Sequence, residues 1–287
     1  MASFAITTDN NGDLPFDYLE AHDVGLMSLT YTIEGQTYDA FHPMPDQEFY
    51  QKMRDGAMPT TAQVNPETAG AVLREALKQH DGVLHIAFSS GLSGSCQSAM
   101  LAAAELREEF PDKQIVVIDS LSASLGQGLL VDDAVRMRDA GCSLAQTAAW
   151  CEENKLHIGH LFTVDDLFHL YRGGRVSRTK AFIGSALNMK PILHVDNEGK
   201  LIPIGKVRGR KRALDELVRR METQIGDAYD SIAFISHGDC VADALYVRDQ
   251  IVEKLGLKES RIHFVGPSIG AHSGPGTVAL FFHAVTR

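Results

Sequence analysis

The stretch Phe88-Ser89-Ser90-Gly91-Leu92-Ser93-Gly94-Ser95-Cys96-Gln97-Ser98-Ala99 decides how the chain is read. Before its turn, Gly82-Val83-Leu84-His85-Ile86-Ala87-Phe88 is a short apolar run of the kind a buried parallel strand shows. After it, Cys96, Ala99, Met100, Ala103 and Leu106 recur at helical spacing. One tight turn therefore joins a strand to a helix. Its two glycines relax the backbone, and its serines offer hydroxyls beside the free N–H groups of a helix N-terminus, where the macrodipole favours an anion such as a carboxylate or phosphate. Two other readings compete. Ser93 or Ser95 can simply cap the helix. Alternatively, Gly91-Leu92-Ser93-Gly94-Ser95 matches the G-x-S-x-G nucleophile elbow except at its last glycine, which would make Ser93 a nucleophile.

The same strand-helix alternation extends outward on both sides. Phe4–Asp9 reads as a first buried strand, with Asp9 at its carboxyl end, where it either borders a ligand site or ties down its own turn. Leu26–Ile33 reads as a strand entering a hairpin at Glu34-Gly35, and Pro45 opens a helix that runs to about Gly56. Pro59-Thr60-Thr61-Ala62-Gln63-Val64-Asn65-Pro66 is a hydroxyl-bearing loop in which Asn65 caps, and Pro66 begins, a helix with Ala69, Val72, Leu73 and Ala76 on one face. Gln114–Asp119 is another strand, Ala123–Ala140 and Leu144–Asn154 are helices, and His157–Val164 closes this half. The pattern predicts an N-terminal parallel-sheet α/β domain over residues 1–164. From Asp165 the grammar changes. Pro191–Val195 and Leu201–Val207 flank Asp196-Asn197-Glu198-Gly199-Lys200 as a hairpin, followed by helices at Asp215–Ile225 and Ala242–Leu255 and strands at Ser231–Ser236 and Arg261–Val265. This predicts a C-terminal α+β domain over 165–287.

Composition bounds the function. The 287 residues, 44% apolar and 22% charged, can bury one large core or two modest ones. A formal charge of −10 argues against nucleic acid as partner of the whole molecule. Its distribution is uneven, for Arg172 to Arg212 holds eleven Lys or Arg against two acids, suiting a phosphate or an acidic protein surface, or simply a solvated face. Cys96, Cys142, Cys151 and Cys240 form no C-x-x-C pair and have no zinc-like spacing with histidine, so no metal is expected. Met1 to Pro15 lacks a leader pattern and no apolar run reaches 18 residues, so neither export nor a membrane span is expected, and the chain is placed in the cytoplasm. Gly274-Pro275-Gly276-Thr277-Val278-Ala279 fits G-x-G-x-x-A, but too few residues follow to complete a βαβ unit, so no dinucleotide site is assigned. Among twelve histidines, His272 stands out through its glycine-rich surroundings.

Seven stretches in order resemble the DegV family of bacterial fatty-acid-binding proteins. They are Thr8-Asp9, Pro59-Thr60-Thr61-Ala62-Gln63, Ser89-Ser90-Gly91-Leu92-Ser93-Gly94-Ser95, Val117-Ile118-Asp119-Ser120, Leu170-Tyr171-Arg172-Gly173-Gly174-Arg175-Val176-Ser177, Lys190-Pro191-Ile192-Leu193 with Lys206-Val207-Arg208-Gly209-Arg210, and His272-Ser273-Gly274-Pro275-Gly276. The resemblance implies a two-domain α/β protein that is no enzyme itself. A long-chain fatty acid, palmitate-like or oleate-like, would occupy an apolar tunnel with its carboxylate at Thr61, Ser93 and the backbone of Gly94. It further implies that His272 and Arg175 lie near the head group, that the basic stretch with Arg208 and Arg210 docks a fatty acid kinase catalytic subunit, and that this partner makes an acyl phosphate for phospholipid synthesis. No cofactor beyond the bound lipid is implied. The chain departs from the family pattern at Asn10, Ala62, Val64 and Ser95. The rival activity is a serine hydrolase with Ser93 as nucleophile, His272 as base, and Asp165 or Asp239 between them in chain order.

Overall fold

Two sheets share one helix. The computed structural model describes residues 3–177, 188–226 and 230–287, so Arg178 and Lys180 of the basic stretch lie outside the described residues. In chain order the first part comprises β1 (Phe4–Asp9), α1 (Phe16–Ala21), β2 (Val24–Met27), β3 (Thr30–Ile33), β4 (Gln36–Tyr38), α2 (Asp46–Arg54), β5 (Thr60–Ala62), α3 (Pro66–Gln79), β6 (Gly82–Ala87), α4 (Ser95–Glu109), β7 (Gln114–Asp119), α5 (Leu125–Asp139) and α6 (Leu144–Asn154). The remainder comprises β8 (Ile158–Thr163), α7 (Phe168–Arg172), β9 (Met189–Val195), β10 (Leu201–Arg208), α8 (Arg210–Ile225), β11 (Ile232–His237), α9 (Val241–Leu255), β12 (Glu259–Phe264), α10 (Pro267–Ser273) and β13 (Val278–His283).

Strands β2-β1-β6-β7 form an all-parallel sheet in which Ile6 pairs with Val24 on one side and Leu84 on the other. Helices α3 and α4 cover one face, and α5 and α6 the other. Every residue of β1 and β6 is consequently buried, which is why these strands read as unbroken apolar runs. The second sheet, β10-β9-β8-β13-β11-β12, is antiparallel except for the β11–β12 pair. Helix α5 packs against it as well as against β1 and β6, while α8 and α9 lie against its strands with a separate apolar cluster. The core between the sheets is therefore continuous. It joins Ile6, Leu84 and Ile118 to Leu129, Leu130 and Ala134 of α5 and onward to Phe162, Phe234 and Phe281.

Several elements depart from the sequence-based expectation. Strand β8, read with the first half, lies between β9 and β13, so the two sheets part before Ile158 and not after Val164. Its six buried residues look like those of β1, and burial on both faces does not say which sheet a strand joins. The run 26–33 is broken, because the Asn10 side chain accepts from Leu29 N at 2.8 Å and donates to Leu29 O at 3.2 Å, sending β3 into a small sheet of order β4-β3-β5. The threonine loop is strand β5, with Thr61 paired to Tyr31. Helix α8 starts at Arg210, five residues before Asp215, after Gly209 at φ 96°. The glycine-rich surroundings of His272 include helix α10, where Gly270 is small because a side chain at that position would meet the Tyr50 hydroxyl at 2.5 Å.

Two polar knots tie the parts together. The Arg287 guanidinium donates to Leu121 O at 2.6 Å, Lys155 O at 2.6 Å, Ser122 Oγ at 3.0 Å, Ile158 O at 3.2 Å and Asp196 O at 3.2 Å. Burial pushes its pKa down to about 10. His283, at the end of β13, places Nδ1 2.7 Å from Asp230 and Nε2 3.0 Å from Asp133 of α5. Burial opposes its charge, but the two carboxylates outweigh burial and raise the pKa to about 10. A folded-state value above the unfolded one, about 6.5, contributes stability that is full below the unfolded pKa and lost as pH rises through the folded one. The expected outcome for His283→Gln is a destabilisation of about 3 kcal/mol at pH 6, shrinking steadily toward pH 10. Urea unfolding of both proteins at pH 6, 8 and 10 checks it; a gap independent of pH would show that the ring is not charged.

Candidate functional site

A cavity of about 410 Å³ opens between the two sheets, where the carboxyl ends of β1 and β6 face the start of α5. Its apolar wall includes Phe88, Leu92, Phe162 and Phe281, and its polar groups include Thr61, Gln63, Ser93, Arg175 and His272. An open crevice at the carboxyl ends of parallel strands is where α/β sheets collect ligands. The structure thus brings Thr61, Ser93, Arg175 and His272 to one cavity, with Gly94 next to Ser93. It leaves Arg208 and Arg210 outside the cavity lining.

The turn 88–95 presents donors. Ser93 Oγ accepts from Ser95 N at 3.2 Å and lies 3.0 Å from Ser95 Oγ, which in turn accepts from Val64 N at 3.1 Å. With the Ser95 hydroxyl as donor in that pair, both Ser93 lone pairs are occupied and its O–H is left to donate elsewhere. The N–H of Gly94 makes no hydrogen bond among the described residues, and it stands at the N-cap of the 15-residue helix α4, where the dipole favours an anion. A side chain there would displace the Gln63 carboxamide, which fills that space. No serine side chain caps α4 by itself, so the capping reading is replaced by this relay through Ser93.

Thr61 and His272 form the second donor pair. His272 Nε2 lies 2.8 Å from Thr61 Oγ1, and Nδ1 has no partner. Burial, then the charges of Arg175 and Arg172, push the His272 pKa down to about 4, so the ring is neutral. A proton on Nδ1 would be a buried donor without an acceptor. In the tautomer with the proton on Nε2, the ring donates to Thr61 Oγ1 and the Thr61 O–H is left for a further acceptor. Arg175 donates from Nε to Leu92 O at 3.2 Å and from Nη1 to Gly173 O at 2.5 Å, linking the end of α7 to the serine turn. Arg172, to which the sequence assigned no role in the site, bonds Pro59 O at 3.1 Å and Ala271 O at 2.9 Å, holding β5 against α10.

The remaining candidates are placed otherwise. Asp9 is buried, accepts from Asn11 N at 3.1 Å and Phe88 N at 2.7 Å, and so ties its own turn to the end of β6; burial raises its pKa to about 6. Arg208 is exposed, whereas Arg210 is held by Asp243 at 2.8 Å and faces Asp165 at 3.7 Å. The hydrolase arrangement is not formed. Asp165 is engaged by Lys190 at 2.6 Å and Asp239 by Arg54 at 2.5 Å, and neither bonds to His272, whose Nε2 is taken up by Thr61 rather than Ser93. Among the described residues no group of three or more His, Cys, Asp or Glu could hold a metal ion, and no helix is long and apolar enough to cross a membrane.

A sequence model described as “Uncharacterised protein, DegV family” matches residues 3–285. The chain belongs to the DegV family. A DegV domain-containing protein of Clostridium perfringens is 40% identical over 100% of this chain and 99% of its own length. Among solved structures, a fatty-acid-binding DegV family protein from Thermus thermophilus has a TM-score of 0.87 at 33% identity, covering 99% of this chain and 100% of that one. DegV from Bacillus subtilis, described as a fatty acid binding protein, has a TM-score of 0.85 at 30% identity over 99% and 100% of the two chains. The DegV fold, with its parallel-sheet part and second α+β part, is thus shared across the chain.

A side chain at position 173 would collide with the His272 ring. Gly173→Ala is therefore expected to drive that imidazole from its slot and return its pKa from about 4 toward the ordinary value near 6.5. Titration of the histidine ring nitrogens by NMR checks this; a His272 signal that still titrates near 4 in the variant would contradict it.

Proposed function

We propose that this DegV family protein binds a long-chain fatty acid in the cavity, with the carboxylate received by the Thr61 and Ser93 hydroxyls and the Gly94 N–H. The observation that carries the reading is the junction of an apolar cavity with the Thr61 and Ser93 hydroxyls and the neighbouring Gly94 N–H at a helix N-terminus. Each buried methylene contributes roughly 0.8 kcal/mol, so a palmitate-like or oleate-like chain is held strongly even with modest head-group contacts. Neutral donors suit this role because they accept the carboxylate without protonating it. Fatty acid binding by the related Thermus and Bacillus proteins supports the same reading.

The protein then acts in the cytoplasm as a carrier and not as a catalyst, offering the carboxylate to a separate fatty acid kinase subunit for acyl-phosphate formation and phospholipid synthesis. Exposure of Ser90 and Gly91 beside the donors supports access from outside. Arg208 is the better probe of docking than Arg210, whose charge already serves Asp243 and Asp165. Arg208→Glu is expected to lower acyl-phosphate formation with the kinase and to leave lipid content unchanged.

Mass spectrometry of the denatured protein is expected to show co-purified fatty acid. Ser93→Ala should weaken fatty acid binding by about 1–3 kcal/mol, and a fluorophosphonate probe should not label the native protein. Absence of lipid together with failure to bind added palmitate or oleate would sink the carrier reading. Stoichiometric labelling of Ser93, abolished by His272→Ala, would replace it with hydrolysis.

A further inference from the structure

The walls of the cavity are not held equally. His160 and Phe162 stand on β8, and Ala279 and Phe281 on β13, strands with partners on both sides. Ser124 is bonded to Asp13 at 2.5 Å and lies 2.7 Å from Ser236. Of the lining residues within strands of the six-stranded sheet, Leu201 alone stands on an edge strand, β10. It is directly paired across the ladder with Val195, the last residue of β9. Opposed residues of an antiparallel pair project from the same face. Both side chains therefore enter the cavity together, from the two stems of one hairpin.

The tip of that hairpin meets the donor turn. Ser89 Oγ donates to Gly199 O at 2.8 Å, and a side chain at Gly91 would come within 2.6 Å of Glu198 O. Arg287 holds Asp196 O at 3.2 Å from the other side. Asp196 closes the tip by accepting from Glu198 N and Lys200 N, each at 2.9 Å. Beyond Leu201 the ladder loosens, with a register shift between Pro203 and Gly205. The hairpin is thus a wall clamped at its tip, with one interruption in the ladder of its edge strand.

We propose that the Val195–Leu201 pair is the adjustable wall of the cavity and selects among acyl chains by their length and shape, an inference that rests on the fatty-acid reading above. The physical reason is local. A change of volume at Leu201 falls on an edge strand, and Val195 opposite it lies one residue past the last β8–β9 pair, His194 with Leu161, whereas the same change at Phe162 or Phe281 falls on residues paired within the sheet. Removing bulk at 201 enlarges the chain-binding space, and adding it at either position shortens that space, while Thr61, Ser93 and Gly94 stay in place.

The test compares wild type with Leu201→Ala, Leu201→Phe, Val195→Phe and, as a control on the exposed tip, Lys200→Gln. Each protein is assayed for displacement of a fluorescent fatty acid by a series of saturated and monounsaturated acids of increasing length, and its co-purified lipid is identified by mass spectrometry. Leu201→Ala is expected to move the preferred chain to a longer or kinked one and the two phenylalanine variants to a shorter one. Preference between chains that differ by a methylene or two should change roughly tenfold or more, with Lys200→Gln unchanged. Leu201→Met, close in volume and more pliable, keeps the test available should a phenylalanine variant fail to fold, and is expected to broaden the range of chains bound. Variants that unfold at the wild-type temperature yet rank the acids as wild type does would overturn the inference and leave the carrier reading standing. Wild-type protein that neither carries nor binds any of the acids would overturn both.

Discussion

Two sheets can share a single helix only if that helix comes close to both, and in this protein two glycines on α5 permit it. At Gly126 a side chain would run into the His160 ring of the second sheet, and at Gly128 one would reach within 2.6 Å of the Gly12 carbonyl beyond β1. One turn of helix thus touches both halves. From that contact follows the continuous core, which would otherwise be two thinner ones, and each would bury a smaller share of its apolar surface. The cavity follows as well. Helix α5 begins only at Leu125, so the space just before it, between the strand ends of the first sheet and the inner face of the second, is left for a guest.

The chemistry of the cavity mouth is set by how the cations near it are used. Arg172 and Arg175 both sit beside His272, yet their hydrogen bonds go to the carbonyls of Pro59, Ala271, Leu92 and Gly173 and not to carboxylates. They fix three chain segments around the donors and also keep the imidazole neutral. The Thr61 and Ser93 hydroxyls line the cavity beside them, with the Gly94 N–H next to Ser93.

Much of this was legible in the chain. The strand-turn-helix unit around Ser93 and Gly94 announced itself because every local rule agreed: an apolar run, paired glycines, serines, then helical periodicity. Asn65 does cap α3, accepting from Thr68 N at 2.8 Å, with Pro66 in the first turn. What stayed hidden depended on contacts between distant residues. The sheet that receives β8 is chosen by β9 and β13, not by its own pattern. The edge pairing of β5 exists because Tyr31 lies opposite Thr61. Helix α10 was obscured by Gly270, a residue that signals a turn locally but whose small size serves Tyr50, more than two hundred positions away. Arg172 fell within a family-like stretch but its role stayed hidden, since nothing local shows that a guanidinium will be spent on carbonyls.

The outer strand β10 carries one more implication, for association between molecules. An open sheet edge offers unpaired backbone groups to any passing strand. Here that edge holds Pro203, which has no N–H to give, a break in register beside it, and the exposed cations Lys206 and Arg208. These features spoil the edge as a template and make strand-on-strand stacking costly. The irregularity that interrupts this strand therefore also works against its recruiting a strand from another molecule.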